Sequence, residues 1–147
     1  MDTIITSAKY EHLQQIEAIE LACFSTPWSR NSLVHQMISE NCIFLVAENE
    51  NGVILGYVGL THVLDEGYIS NVATAPEFRR LGVADKLIYA LEEKAREKKL
   101  AFLTLEVRQS NTPAISLYQK HGFAPVGVRK NYYEKPREDA VLMTLFL

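Results

Sequence analysis

Two side chains in the second half of the chain have the chemistry to move protons. Glu106 ends the apolar run Phe102-Leu103-Thr104-Leu105. A carboxylate there suits either of two roles: a solvated strand end paired with Arg108, or a general base in a partly apolar setting. Tyr118 lies between Leu117 and Gln119. It fits a tyrosine that packs its ring and wets its hydroxyl, and it also fits a proton donor to a leaving group. Asn111 suits a helix N-cap, and a capped helix start can also touch a cofactor. A third feature, Arg79-Arg80-Leu81-Gly82-Val83-Ala84, suits phosphate. The first N–H groups of a helix have no internal partner and carry the positive end of its dipole. Gly82 lets a ligand approach the backbone, and Arg79 and Arg80 add charge. The plainer alternative is a solvated turn. The chain has no G-x-G-x-x-G and no Gly-Lys-Ser/Thr, which disfavours ATP, GTP and NAD and leaves the phosphates of another large cofactor.

The elements that must position these residues follow from periodicity and turn chemistry. Thr3 to Thr6 reads as a short strand, and a helix is expected from Glu11 to Ala22, burying Leu13, Ile16, Ile19 and Cys23. Ser29 suits the N-cap of a second helix through Met37. Ile43 to Ala47 and Val53 to Val63 read as strands joined through Asn49-Glu50-Asn51-Gly52. Asp65-Glu66-Gly67 turns the chain into the strand that precedes the arginines. Val83, Ala84, Leu87, Ile88, Leu91 and Ala95 recur at helical spacing in a helix reaching about Lys99. Ala101 to Val107 is the next strand. Asn111 caps a helix with Thr112-Pro113 in its first turn, ending at Gly122. Phe123 to Val128 and Val141 to Leu147 close the sheet. The strand–helix–strand crossover implies a parallel pair between the Ile69 and Leu103 strands, in an otherwise hairpin-built α/β (α+β) chain. Ligands in such sheets bind beyond the carboxyl ends of strands, where the arginine turn and Glu106-Val107 both lie.

With 147 residues, 48% of them hydrophobic and 22% charged, the chain suits one folded domain over residues 1–147. A net charge of −3 gives no footprint for direct nucleic-acid or anionic-membrane binding. Cys23 and Cys42 form no C-x-x-C, which fits buried free thiols in a reducing cytoplasm. The four histidines have no ligand spacing, so no metal is expected. Neither an export signal nor a bilayer-spanning run is read from the sequence.

Taken together, the order Val72…Arg79-Arg80-Leu81-Gly82-Val83-Ala84, Leu105-Glu106-Val107-Arg108…Asn111, Leu117-Tyr118…Gly122-Phe123 resembles the GCN5-related N-acetyltransferases (GNAT). The resemblance spans nearly the whole chain. It tightens to the bacterial ribosomal-protein-alanine N-acetyltransferases at Phe24-Ser25-Thr26-Pro27-Trp28-Ser29, Leu105 to Asn111, Arg129-Lys130-Asn131-Tyr132-Tyr133 and Arg137-Glu138-Asp139-Ala140. It implies a GNAT fold: a mixed, mostly antiparallel sheet with a splayed parallel strand pair and flanking helices. It also implies acetyl-CoA as acetyl donor, held by the backbone of Val72, Ala73 and Thr74 and by the turn Arg79, Arg80, Leu81, Gly82, Val83, Ala84 and Asp85, with Asn111 and Tyr118 nearer the thioester. By the same resemblance Glu106 is the general base, Tyr118 the general acid, and Trp28, Tyr132 and Tyr133 meet the substrate. Ala84 stands where many relatives have glycine, and Asp65-Glu66-Gly67-Tyr68 departs from the more apolar stretch expected there.

The implied substrate is a protein N-terminus, the N-terminal alanine of the eighteenth small-subunit ribosomal protein. The chemistry suits it. An α-amino group titrates near pH 8 against about 10.4 for lysine, so freeing its lone pair at neutrality is cheaper by roughly 3 kcal/mol. A carboxylate base then suffices, directly or through one water. A backbone N–H on the Val72 strand is expected to stabilise developing oxyanion charge, and Tyr118 to protonate the departing thiolate, with no covalent enzyme intermediate and no role for Cys23 or Cys42. Two other readings remain open at this point: an acetyltransferase of the same fold acting on lysine side chains or small amines, and a non-catalytic acyl-CoA-binding module.

Overall fold

The computed structural model describes residues 2–147. The chain begins with β1 (Thr3–Ser7), α1 (Leu13–Cys23), α2 (Arg30–Ile38), β2 (Cys42–Asn49), β3 (Ile54–Val63) and β4 (Glu66–Thr74). It continues with α3 (Val83–Glu97), β5 (Phe102–Arg108), α4 (Thr112–Lys120), β6 (Ala124–Glu134) and β7 (Arg137–Phe146). One seven-stranded sheet runs β1-β2-β3-β4-β5-β7-β6. Every neighbouring pair is antiparallel except β4 and β5.

Strand alternation separates two cores. Leu45 and Val58 turn to one face, with Leu103 and Leu105, and meet Leu87, Ile88, Leu91 and Ala95 of α3 together with Tyr118 of α4. Phe44, Val46 and Tyr57 turn to the other face and meet Leu13, Ile16 and Leu33 of α1 and α2. This period of two fixes the register, because a one-residue slip would exchange the faces. Ser29 caps α2, its hydroxyl accepting from Ser32 N at 3.2 Å, and Asn111 caps α4, accepting from Ala114 N at 3.3 Å. Both caps are the expected ones.

The expected parallel pair is present but short. Glu66, Gly67 and Tyr68 pair with Phe102, Leu103 and Thr104, and the ladder ends there. Beyond it β4 keeps its partner β3 and β5 keeps β7, so the two strands part and leave an opening at their carboxyl ends.

Several boundaries differ from the expectation. α1 starts at Leu13 after a short 3₁₀ turn over Tyr10–His12, and Cys23 and Cys42 are half-buried free thiols. β4 starts at Glu66, because the chain reverses at Leu64 (φ 55°) and Asp65 instead of Asp65-Glu66-Gly67. The last hairpin is much longer than apolar periodicity indicated. β6 runs to Glu134 and β7 starts at Arg137, since partner strands sustain polar residues in a ladder. Tyr132 and Tyr133 therefore lie near the end of a strand, Tyr132 within a register shift between Arg129 and Tyr133, and Tyr133 where pairing resumes.

Candidate active site

β5 builds the floor. Leu103, Leu105 and Val107 are buried in the α3 core, so alternation sends Thr104, Glu106 and Arg108 to the opposite face. The Glu106 side chain is only 6% exposed. Its Oε1 lies 3.1 Å from Arg129 Nε, and its Oε2 accepts from the Tyr68 hydroxyl. Burial, the bond to Glu106 and the neighbouring Tyr132 together push the Tyr68 phenol well above its ordinary range. Arg108, the partner expected of Glu106, is engaged elsewhere. Its guanidinium stacks 4.2 Å from the Tyr133 ring centre. It also donates to Pro136 O at 2.9 Å, Lys135 O at 3.2 Å and Glu138 Oε1 at 3.2 Å. The Glu138 carboxylate accepts from Ser110 N at 2.6 Å, and Ser110 and then Arg108 hold it below the usual carboxyl range.

Two segments distant in sequence meet near Arg108. Ser25, in the segment between α1 and α2, donates its hydroxyl to Lys135 O in the β6–β7 turn. Trp28 in the same segment is anchored by its backbone N–H, which donates to Glu20 Oε1 at 3.3 Å. Tyr132 and Tyr133, near the end of β6, meet edge to face at 5.1 Å. Burial and the adjacent Tyr132 push the Tyr133 phenol up to about 12. The expected substrate residues Trp28, Tyr132 and Tyr133 thus belong to the two segments that the Ser25–Lys135 contact joins.

On the α3 side, Arg80 takes φ 66° and Gly82 φ 79°, so two left-handed residues flank Leu81 in the turn that leads into the helix. Gly82 occupies the N-cap of α3, and no side chain caps the helix. A Cβ added at Gly82 would meet no atom within 4 Å. Arg80, Leu81 and Gly82 are exposed, whereas Arg79 Nη2 turns back to Cys23 Sγ at 3.5 Å. Val83 is buried in the core, so only its backbone faces the turn. The Asp85 carboxylate is taken by Lys120 at 3.2 Å and His121 at 3.0 Å. Val72, Ala73 and Thr74 form the end of β4 beyond its pairing with β5.

Tyr118 is buried on α4 with its ring 5.7 Å from that of Phe123. Burial raises its phenol well above the ordinary value, so it holds its proton throughout the neutral range. Sequence reasoning did not single out Tyr68, Arg129, Ser25 or Glu138. Their roles depend on which strands pair. The local signals were the alternation of Tyr68 and Ser70 with Ile69 and Asn71, and the segments around Ser25, Arg129 and Glu138 that carry the family resemblance.

Residues 13–123 match the model of the Acetyltransferase (GNAT) family. The chain belongs to that family. A relative from Haemophilus ducreyi named ribosomal protein bS18-alanine N-acetyltransferase is 38% identical to this acetyltransferase over 132 residues, covering 88% of this chain and 90% of the relative. The crystal structure of the ribosomal-protein-S18-alanine N-acetyltransferase from Escherichia coli superposes with a TM-score of 0.90 at 31% identity, over 99% of this chain and 94% of that one. The Arabidopsis thaliana protein NAA60, crystallised in complex with acetyl-CoA, shares the fold with a TM-score of 0.91 at 17% identity, over 99% of each chain.

Proposed function

We propose that this acetyltransferase moves an acetyl group from acetyl-CoA to the N-terminal alanine of ribosomal protein bS18. The observation that carries the proposal is the buried Glu106 carboxylate at the parting of β4 and β5, under the Ser25–Lys135 contact. That arrangement admits a chain end to a base, and relatives named for this reaction are alike over most of their length.

The residues around Gly82 suit a diphosphate: uncapped amides at the start of α3, an open approach and the exposed Arg80. The backbone of Val72 to Thr74 and the Asn111 cap would flank the rest of the cofactor. Acetyl-CoA supplies an activated acetyl thioester. The chain's own groups do the remaining work. Glu106 takes a proton from the incoming amine, directly or through one water. Tyr68 and Arg129 each occupy one site on its two oxygens, and a carboxylate has about four such sites, so acceptor capacity remains for the amine. The free β4 edge beyond Tyr68 offers backbone N–H groups toward developing negative charge. Tyr118, protonated at neutral pH, gives its proton to the departing sulfur. Trp28, Tyr132 and Tyr133 line the approach and fix how deeply a backbone can enter.

Matched lysine-containing peptides with a free or a blocked N-terminus test this reading. Acetylation confined to the free N-terminus is expected. Equal rates on the blocked peptide would transfer the activity to lysine side chains and overturn the proposal.

A further inference from the structure

α3 and α4 are tied together by an imidazole that neither the cofactor turn nor the proton transfers require. His121 follows the last residue of α4. Its Nε2 lies 3.0 Å from Asp85 Oδ1 and its Nδ1 3.2 Å from Glu92 Oε2. The His121 side chain is 13% exposed and that of Glu92 7%, so water competes little for that contact, whereas the Asp85 side chain is 36% exposed. Lys120 Nζ adds a second cation to Asp85 at 3.2 Å. Burial alone would raise the Asp85 carboxyl, but the hydrogen bonds from His121 and Lys120 more than offset it and hold it below the ordinary value. Asp85 is thereby an anion with its charge spent on α4, in the first turn of the helix whose open amides suit a phosphate.

The other end of the bridge is a hydrogen-bonded turn. His121 N donates to Tyr118 O at 3.1 Å and Phe123 N donates to the same oxygen at 3.0 Å. Gly122 between them takes φ 96°, a conformation that glycine adopts without strain. The backbone that carries the His121 ring and the backbone of Tyr118 thus belong to one hydrogen-bonded turn.

We propose that His121, through Asp85 and Glu92, is a positioning residue that fixes Tyr118 relative to the cofactor-binding end of α3. The inference rests on the roles given above to Tyr118 and to the α3 turn. It predicts that removing the imidazole harms the step Tyr118 serves and the hold on acetyl-CoA, and leaves peptide binding alone.

The test is a double-mutant cycle on kcat with purified full-length protein. His121→Ala is expected to lower kcat about tenfold and raise KM for acetyl-CoA severalfold, with KM for the peptide unchanged. In the Tyr118→Phe background the same substitution is expected to change kcat less than twofold. An equal fold-loss in both backgrounds, or a matching rise in peptide KM, would overturn the inference and reduce His121 to a stabilising contact. Wild-type kcat in Tyr118→Phe alone would instead overturn the reading of Tyr118 as acid. Should His121→Ala fail to fold, Glu92→Gln, which keeps the side-chain shape, takes its place in the cycle with the same pattern expected and the same result overturning it.

Discussion

The Tyr68 hydroxyl, on the last residue of β4 that pairs with β5, donates to Glu106 Oε2, two residues past the end of the ladder on β5, so one hydrogen bond spans the line on which the strands diverge. It orients the carboxylate without using its second oxygen, which faces Arg129. Tyr68→Phe removes that tie and keeps the ring. A hydrogen bond to a charged group contributes about 1.5–3 kcal/mol, an upper bound here because Arg129 remains. A fall in kcat of about tenfold is expected, with KM for acetyl-CoA little changed. Steady-state kinetics at saturating peptide measure it, and wild-type turnover would remove Tyr68 from the orientation of the base.

Glu106→Gln keeps the shape and the acceptor for Tyr68 but cannot take a proton. General-base catalysis contributes about 10²–10⁴ in rate, so kcat should fall within that range. Acetyl-CoA affinity, measured by calorimetry, should stay within about twofold, since the α3 turn is untouched. A variant with full turnover would exclude Glu106 as the base.

Gly82 and Gly52 give a paired experiment on the cofactor turn. Both have positive φ, 79° and 77°, and at each a Cβ would meet no atom within 4 Å. Leucine at either site carries a similar backbone strain, roughly 1–2 kcal/mol. Gly82→Leu should weaken acetyl-CoA binding at least tenfold, whereas Gly52→Leu, in the β2–β3 turn, should lose similar thermal stability and bind normally. Equal affinities in the two variants would remove the α3 turn as the phosphate site.

Most of this framework was legible in the chain itself, and the reason is local chemistry. The caps Ser29 and Asn111, the glycine turn at Gly82 and the apolar alternation of β2, β3 and β5 act over a few residues. What was not legible is nonlocal. Glu106 and Arg108 are two apart on one strand face, which suggested a pair, yet each finds its partner across the sheet, in Arg129 and Glu138. The His121 contacts join residues 29 and 36 positions apart, so no spacing rule reveals them. The β6–β7 hairpin lacks an apolar period because β6 is exposed along most of its length.

Glu20 yields a prediction about stability. It is buried beside Tyr57 and Asn71, with Oε2 lacking a hydrogen-bond partner among the described residues, and burial, its largest influence, raises its carboxyl above the ordinary 4.5. A carboxyl with a raised folded pKa favours folding most below its unfolded value and loses that contribution as pH rises through the folded one. Glu20→Gln retains an acceptor for Trp28 N–H and carries no charge. It should melt above the wild type at pH 7.5, with the gap narrowing toward pH 4.5, as thermal denaturation at the two pH values will read. A gap that widens toward acid would contradict the burial argument.

Mass spectrometry of native protein N-termini from otherwise identical cells with and without this acetyltransferase decides whether bS18 is its substrate. The account predicts that the N-terminal alanine of ribosomal protein bS18 carries an acetyl group only when the enzyme is present, and that Glu106→Gln does not restore it. Full acetylation of that alanine in cells lacking the enzyme would contradict the account.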